Sequence, residues 1–234
     1  MIFNCVWEHN GDDTLLYCVD LVGAYARGDS LEVAKKKMPT EIMSSLRWLG
    51  EEIPDGIEIK IVQEKESGLA VSDADSDVIF DDEKHPLSAE EYARLKSLVL
   101  RSAEDFQRLY HSVTEKNAGV RAERECFYGK VPRTAREMME HVRSVNEYYF
   151  SEIVTTADNR GTILSCRQRG FEALEVKHDL LMNTVFEGSY GEEWSVRKVC
   201  RRFIWHDRIH AKALWRLAKA LGVKNVANPF CFEE

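Results

Sequence analysis

The sequence predicts an α+β protein: a small N-terminal ββαβ domain, an antiparallel sheet with one helix, followed by a four-helix bundle. Two observations predict it. Up to residue 85 the apolar residues come in short β-branched and aromatic runs broken by turn clusters, whereas from residue 86 they recur at helical spacing. The chain of 234 residues also exceeds the usual single-domain size of about 100–150, which places domains at 1–85 and 86–234.

IFNCVW and TLLYCVDLVGAYA are rich in strand-forming residues, and the HNGDD between them is a turn cluster, so they read as a β-hairpin. SLEVAKKKMPTEIMSSLRWLG follows as a helix capped by Ser30. Pro39 is expected to end its first part or kink it, because proline supplies no backbone N–H and clashes one turn back. After the turn IPDG, the segment IEIKIVQEK alternates apolar and charged residues, as a half-buried strand does. VSDADSDVIFDDEKHP is acidic and turn-rich, with one short edge strand expected. Its DxDxD lacks the Gly and terminal Glu of a calcium loop, which predicts a solvated segment.

Four amphipathic helices follow. PLSAEEYARLKSLVLRSAEDFQRLYHSV opens with Ser88 and Glu91, and PRTAREMMEHVRSVNEYYFSEI with Thr134 and Glu137, both spaced as capping boxes. TILSCRQRGFEALEVKHDLLMNT is the third. SVRKVCRRFIWHDRIHAKALWRLAKAL is the fourth, ended by Gly222. Their apolar stripes make a bundle the natural solution.

Composition excludes several roles. A net charge of -8 argues against general nucleic-acid binding, since an acidic chain repels phosphate. The basic cluster Arg197, Lys198, Arg201 and Arg202 has the spacing of a solvated helix face. No segment reaches the roughly 18–20 apolar residues of a membrane span, and the N-terminus lacks the basic and apolar regions of a signal peptide. A cytoplasmic protein, monomer or homodimer, is expected. Its six cysteines, at 5, 18, 126, 166, 200 and 231, contain no CxxC and read as free thiols.

The candidate site lies in the last helix. Val199, Phe203, His206, His210, Ala213, Leu214, Leu217 and Leu221 fall within an arc of about 100°, so both histidines belong to the core-facing stripe. Two buried imidazoles have four ring nitrogens to satisfy in an apolar setting. A divalent cation takes one from each, and i, i+4 spacing puts both on one face. His141, on the flank of the second helix's stripe, would complete a three-histidine set with an open coordination position. Such openness marks a catalytic rather than a structural site. The alternative is hydrogen bonding to a carboxylate, with Asp207 or Glu147 as partner. His178 is a weaker candidate, and His9, His85 and His111 sit in turns or on polar faces. HxxxH without the glutamate of HExxH does not suit a zinc protease. Tyr148, Tyr149, Trp205 and Arg167 are candidate pocket residues, set against ordinary core packing.

Two resemblances add to this reading. The strand leading into GAYARGDSLEVAKKKM, with its Gly-Asp-Ser cap and helix, resembles HicB-like antitoxin domains over residues 1 to 64. That implies a small α/β fold related to RNA-binding modules. YGKVPRTAREMMEHVRSVNEYYF followed by EEWSVRKVCRRFIWHDRIHAKALWRL resembles the DinB-like (YfiT-like) superfamily over about residues 86 to 222. The resemblance implies a four-helix bundle holding zinc or nickel on His141, His206 and His210. It further implies a metal-dependent thiol transferase, or a hydrolase, with a low-molecular-weight thiol or other small molecule as partner. The expectation from another class is a regulatory or stress-response protein whose N-terminal domain binds a partner and whose bundle is a scaffold or metal sensor.

Overall fold

The structure, a computed structural model, describes residues 1–233 and is mixed α+β, with five α-helices and a small, mostly antiparallel sheet among those residues. Strands β1 (Ile2–Asn10) and β2 (Asp13–Cys18) form the expected hairpin, turned at Gly11. The second apolar run does not continue as one strand. It breaks after Cys18 and resumes as β3 (Tyr25–Gly28), antiparallel to β2. Gly23 makes the break at φ 85°, and a Cβ there would collide with Ile204 of the last helix.

Helix α1 (Leu31–Leu49) starts where Ser30 accepts from the Val33 N–H and stops at Gly50, in the left-handed region at φ 78°. Pro39, expected to end or kink it, lies inside an unbroken helix. Burial of Met38, Ile42 and Leu46 against the sheet outweighs the lost backbone bond. Strand β4 (Glu58–Glu66) then runs parallel to β1, giving the order β3-β2-β1-β4. The first unit is therefore βββαβ with one parallel pair, not an antiparallel ββαβ. Helix α1 carries the chain back to the end of the sheet at which β3 began, so β3 and β4 share a direction.

Both faces of this sheet are covered. Phe3, Cys5, Leu16 and Cys18 pack under α1, while Val6, Leu15, Tyr17 and Tyr25 face Val78, Phe80 and Trp205. Two-sided burial is why TLLYC is continuously apolar instead of alternating. The acidic stretch contains no strand. It forms 3-10 turns at Val71–Asp73 and Asp81–Lys84 and is pinned to β1 by buried Glu8. The Glu8 carboxylate accepts from the N–H groups of Asp77 at 3.0 Å and Val78 at 3.2 Å, and from the Tyr17 hydroxyl at 3.2 Å.

Helices α2 (Ala89–Ser112), α3 (Ala135–Ser151), α4 (Ile163–Glu175) and α5 (Val196–Ala220) make up the rest, with α5 and α4 each packed on both α2 and α3. The Thr134–Glu137 capping box is complete. At α2 only Ser88 caps, because the Glu91 carboxylate turns away to Arg197 at 2.6 Å. Helix α4 ends at Glu175, so His178 is exposed in a turn beyond it. Two short ladders were not expected: β5 (Glu125–Cys126) with β6 (Gly129–Lys130), and β7 (Phe186–Glu187) with β8 (Glu193–Trp194). No helix among the described residues is long and apolar enough to cross a membrane.

The basic cluster on α5 is not a solvated face. Lys198, Arg201 and Arg202 are buried, because the sheet and acidic segment cover the side of α5 that α2 and α3 leave open. Arg201 grips Glu83 through Nε at 2.5 Å and Nη2 at 2.9 Å, and Lys198 pairs with Glu192 at 2.9 Å. Arg167 is likewise interior, not a pocket residue: its guanidinium meets Asp207 in a fork at 2.5 and 2.6 Å, and Ser102 donates to the same carboxylate at 2.6 Å. Removing one partner of such a buried pair leaves an uncompensated charge, so Asp207→Ala is expected to cost about 3–5 kcal/mol. Asp158→Ala, which breaks the solvent-screened pair with Arg169, is expected to leave stability nearly unchanged. Urea denaturation of both variants checks the contrast, and equal losses would refute it.

Candidate metal centre

His206 and His210 stand one turn apart on α5, and His141 reaches them from α3. The imidazole centroids are 4.5 to 4.9 Å apart in all three pairings. One ligand nitrogen from each ring can be chosen so that all three lie within 4.8 Å of one another. The closest approach, Nε2 of His206 to Nε2 of His141, is 3.1 Å. Two nitrogens bound to one tetrahedral zinc, at about 2.0–2.1 Å each, sit about 3.3 Å apart. The gap therefore has the dimension of a coordination edge.

The carboxylate alternative is not what the structure contains. Asp207 is taken by Arg167 and Ser102, and Glu147 holds Asn159. His206 Nδ1 is buried with no hydrogen-bond partner among the described residues. Whichever tautomer His206 adopts, Nδ1 stays unsatisfied, and it is the Nε2 atom, facing His141, that a cation shared by the three rings would take. The charge state suits that. Burial pushes His206 and His210 well below the ordinary 6.5, reinforced by the neighbouring imidazoles, and burial alone lowers His141. All three are neutral donors at neutral pH. The three residues could hold a metal ion.

A cavity of about 910 Å³ opens beside the cluster. Helices α3 and α5 form one wall, with Tyr148, Tyr149 and Trp205 among its lining residues. Tyr25 and Arg27 of β3 and the acidic Asp73–Asp77 segment form another. The acidic segment is therefore cavity wall, not merely solvated surface. The β5–β6 hairpin closes a third side: the Tyr128 ring lies 4.8 Å from His141, and Arg124 pairs with Asp73 at 2.6 Å. Tyr128 and the acidic wall escaped the sequence reading, since nothing local tells that a two-residue ladder folds back over α3. Arg202 escaped it too, although its position four residues before His206 carried the signal.

The other histidines lie elsewhere. His9 stacks on Trp7 at 4.2 Å in the first strand, and His85, His111 and His178 are exposed. All six cysteines are free. Compared with family models, with curated proteins and with solved structures, the chain matches none.

The lowered histidines set a pH dependence. Below 6.5 the unfolded chain takes up protons that the folded, metal-free site resists, so stability falls as pH drops. His206 and His210 each contribute up to about 1.4 kcal/mol per pH unit in that window. Urea midpoints of chelator-treated protein between neutral and mildly acid pH are expected to fall steeply. The His206→Gln, His210→Gln double variant is expected to show a shallower slope; an unchanged slope would place the titration elsewhere.

Proposed function

We propose that this protein is a divalent-metal protein of the DinB-like (YfiT-like) kind, with α2–α5 as its four-helix bundle and His141, His206 and His210 holding zinc or nickel. Residues 1–85 are then an appended α/β domain of the HicB-like kind, and 86–234 the metal-binding domain. The observation that carries the reading is the meeting of three neutral imidazoles from two helices at the edge of a roomy cavity. A scaffold would fill that space with side chains and satisfy His141 from the protein. Instead the hydrogen-bond contact of the His141 ring is with another ligand candidate, His206.

The chemistry follows from the open side. A divalent ion with a free position lowers the pKa of a bound thiol or water toward neutrality, making a thiolate or hydroxide available. Metal-assisted thiol transfer, with a low-molecular-weight thiol brought to an electrophile in the cavity, is the function we favour. The chain's own groups shape the reaction space. Tyr148, Tyr149 and Trp205 supply aromatic wall, and burial keeps both tyrosine hydroxyls protonated far above neutral pH, so they act as donors and not as bases. Tyr128 over His141 screens the cluster from bulk water.

Metal analysis of protein purified without a histidine tag is the test. About one divalent ion per chain is expected, lost in His206→Ala. Cobalt-substituted protein is expected to gain a thiolate charge-transfer band when a small thiol is added. Negligible metal in the wild type, unchanged in the variant, would end this reading.

A further inference from the structure

Among the described residues five buried cations lie in the interior: Arg167, Lys198, Arg201, Arg202 and Arg208. Four of them have a carboxylate in ion-pair contact: Arg167 with Asp207, Lys198 with Glu192, Arg201 with Glu83 and Arg208 with Glu41. Arg202 has none among the described residues. Its Nη1 donates to the Ser76 carbonyl at 2.9 Å, and its Nε is sealed in without a partner. Nη2 has no protein partner either and is not sealed, and Arg202 belongs to the cavity wall. Aromatic rings of Trp205 at 4.8 Å, Trp194 at 5.4 Å and Tyr149 at 5.7 Å hold the guanidinium plane in place. A buried, oriented and incompletely bonded arginine in a cavity is a built receptor for an anion, because a buried charge is otherwise costly.

The position is equally specific. Arg202, His206 and His210 follow one another at i, i+4 and i+8 on α5, so the arginine stands one turn from the imidazole cluster, about 6 Å along the helix axis. We propose that Arg202 binds the carboxylate of a small organic acid whose other end reaches the three histidines. Asp75 and Glu192 act on Arg202 directly and offset part of its charge, so we assign it a single carboxylate, although Arg27, Arg124, Lys212 and Arg216 also line the cavity. The placement of the ligand's far end rests on the metal reading above; the carboxylate contact does not.

Calorimetric titration of the full-length protein, as purified, with 3-mercaptopropionate, its neutral amide and propionate tests this. The acid is expected to bind at least about tenfold more tightly than the amide, the loss that follows from removing a charge-assisted hydrogen bond. That ratio is expected to fall toward one in Arg202→Gln and to shrink partly in Arg202→Lys, which keeps the charge but not the fork. In His206→Ala the acid keeps its preference over the amide while the advantage of 3-mercaptopropionate over propionate disappears. If His206→Ala leaves the thiol advantage intact, the metal reading fails and the anion site stands. Equal affinity for acid and amide in the wild type overturns the proposal without any variant. So does a preference that survives in Arg202→Gln and Arg202→Lys alike.

Discussion

The constraint on which the structure turns is that α5 is buried on nearly every side while carrying seven lysines and arginines between residues 197 and 216. A helix of that composition can sit in an interior only if most of its charges are answered by carboxylates, and among its described buried cations Arg202 is the exception. Glu83 and Glu192 answer from the segments that flank the sheet, Glu41 from α1 and Glu91 from α2. Each pair joins α5 to a different part of the chain. The pairs contribute less to net stability than their geometry suggests, because desolvation offsets much of the attraction. What they supply is register: sliding or rotating α5 would strand several charges at once.

The site inherits that register. His206 and His210 need no long network of their own, because Asp207 between them is locked to Arg167 and Ser102, and Arg208 to Glu41 and Ser44. The same turn of helix thus presents imidazoles to the cavity and ion pairs to the interior. His141 is less constrained. It comes from α3, and its ring is held by Tyr128 on one side and by His206 and His210 on the other.

Much of this was legible because it was local. Thr134 with Glu137, Ser30 and Gly222 mark helix ends through short-range backbone bonding, and a stripe containing 199, 203, 206 and 210 names its buried side without tertiary knowledge. The illegible parts share one cause. A helix wheel assumes one dry face, so Arg197, Lys198, Arg201 and Arg202 read as solvent-facing when a second layer in fact covers them. A proline rule assumes an isolated helix, so Pro39 reads as a break when packing on the sheet holds α1 straight. The parallel partner of β1 is decided by the path of α1 and not by the alternation of IEIKIVQEK.

The cavity shows why the two halves of the chain are best considered together. Its histidine wall is helical, but the opposite wall is β3 and the Asp73–Asp77 segment, which Glu8 pins to β1 and Lys198 holds from α5 through the Asp77 carbonyl at 2.8 Å. Trp205, one residue before His206, packs its ring on Tyr17 and Tyr25 of the sheet. Moving the sheet would therefore move the wall that faces the imidazoles and the ring that orients Arg202. Under the proposed function the helical half would provide the donors, and the N-terminal sheet, as the opposite wall, would set the size and charge of whatever reaches them.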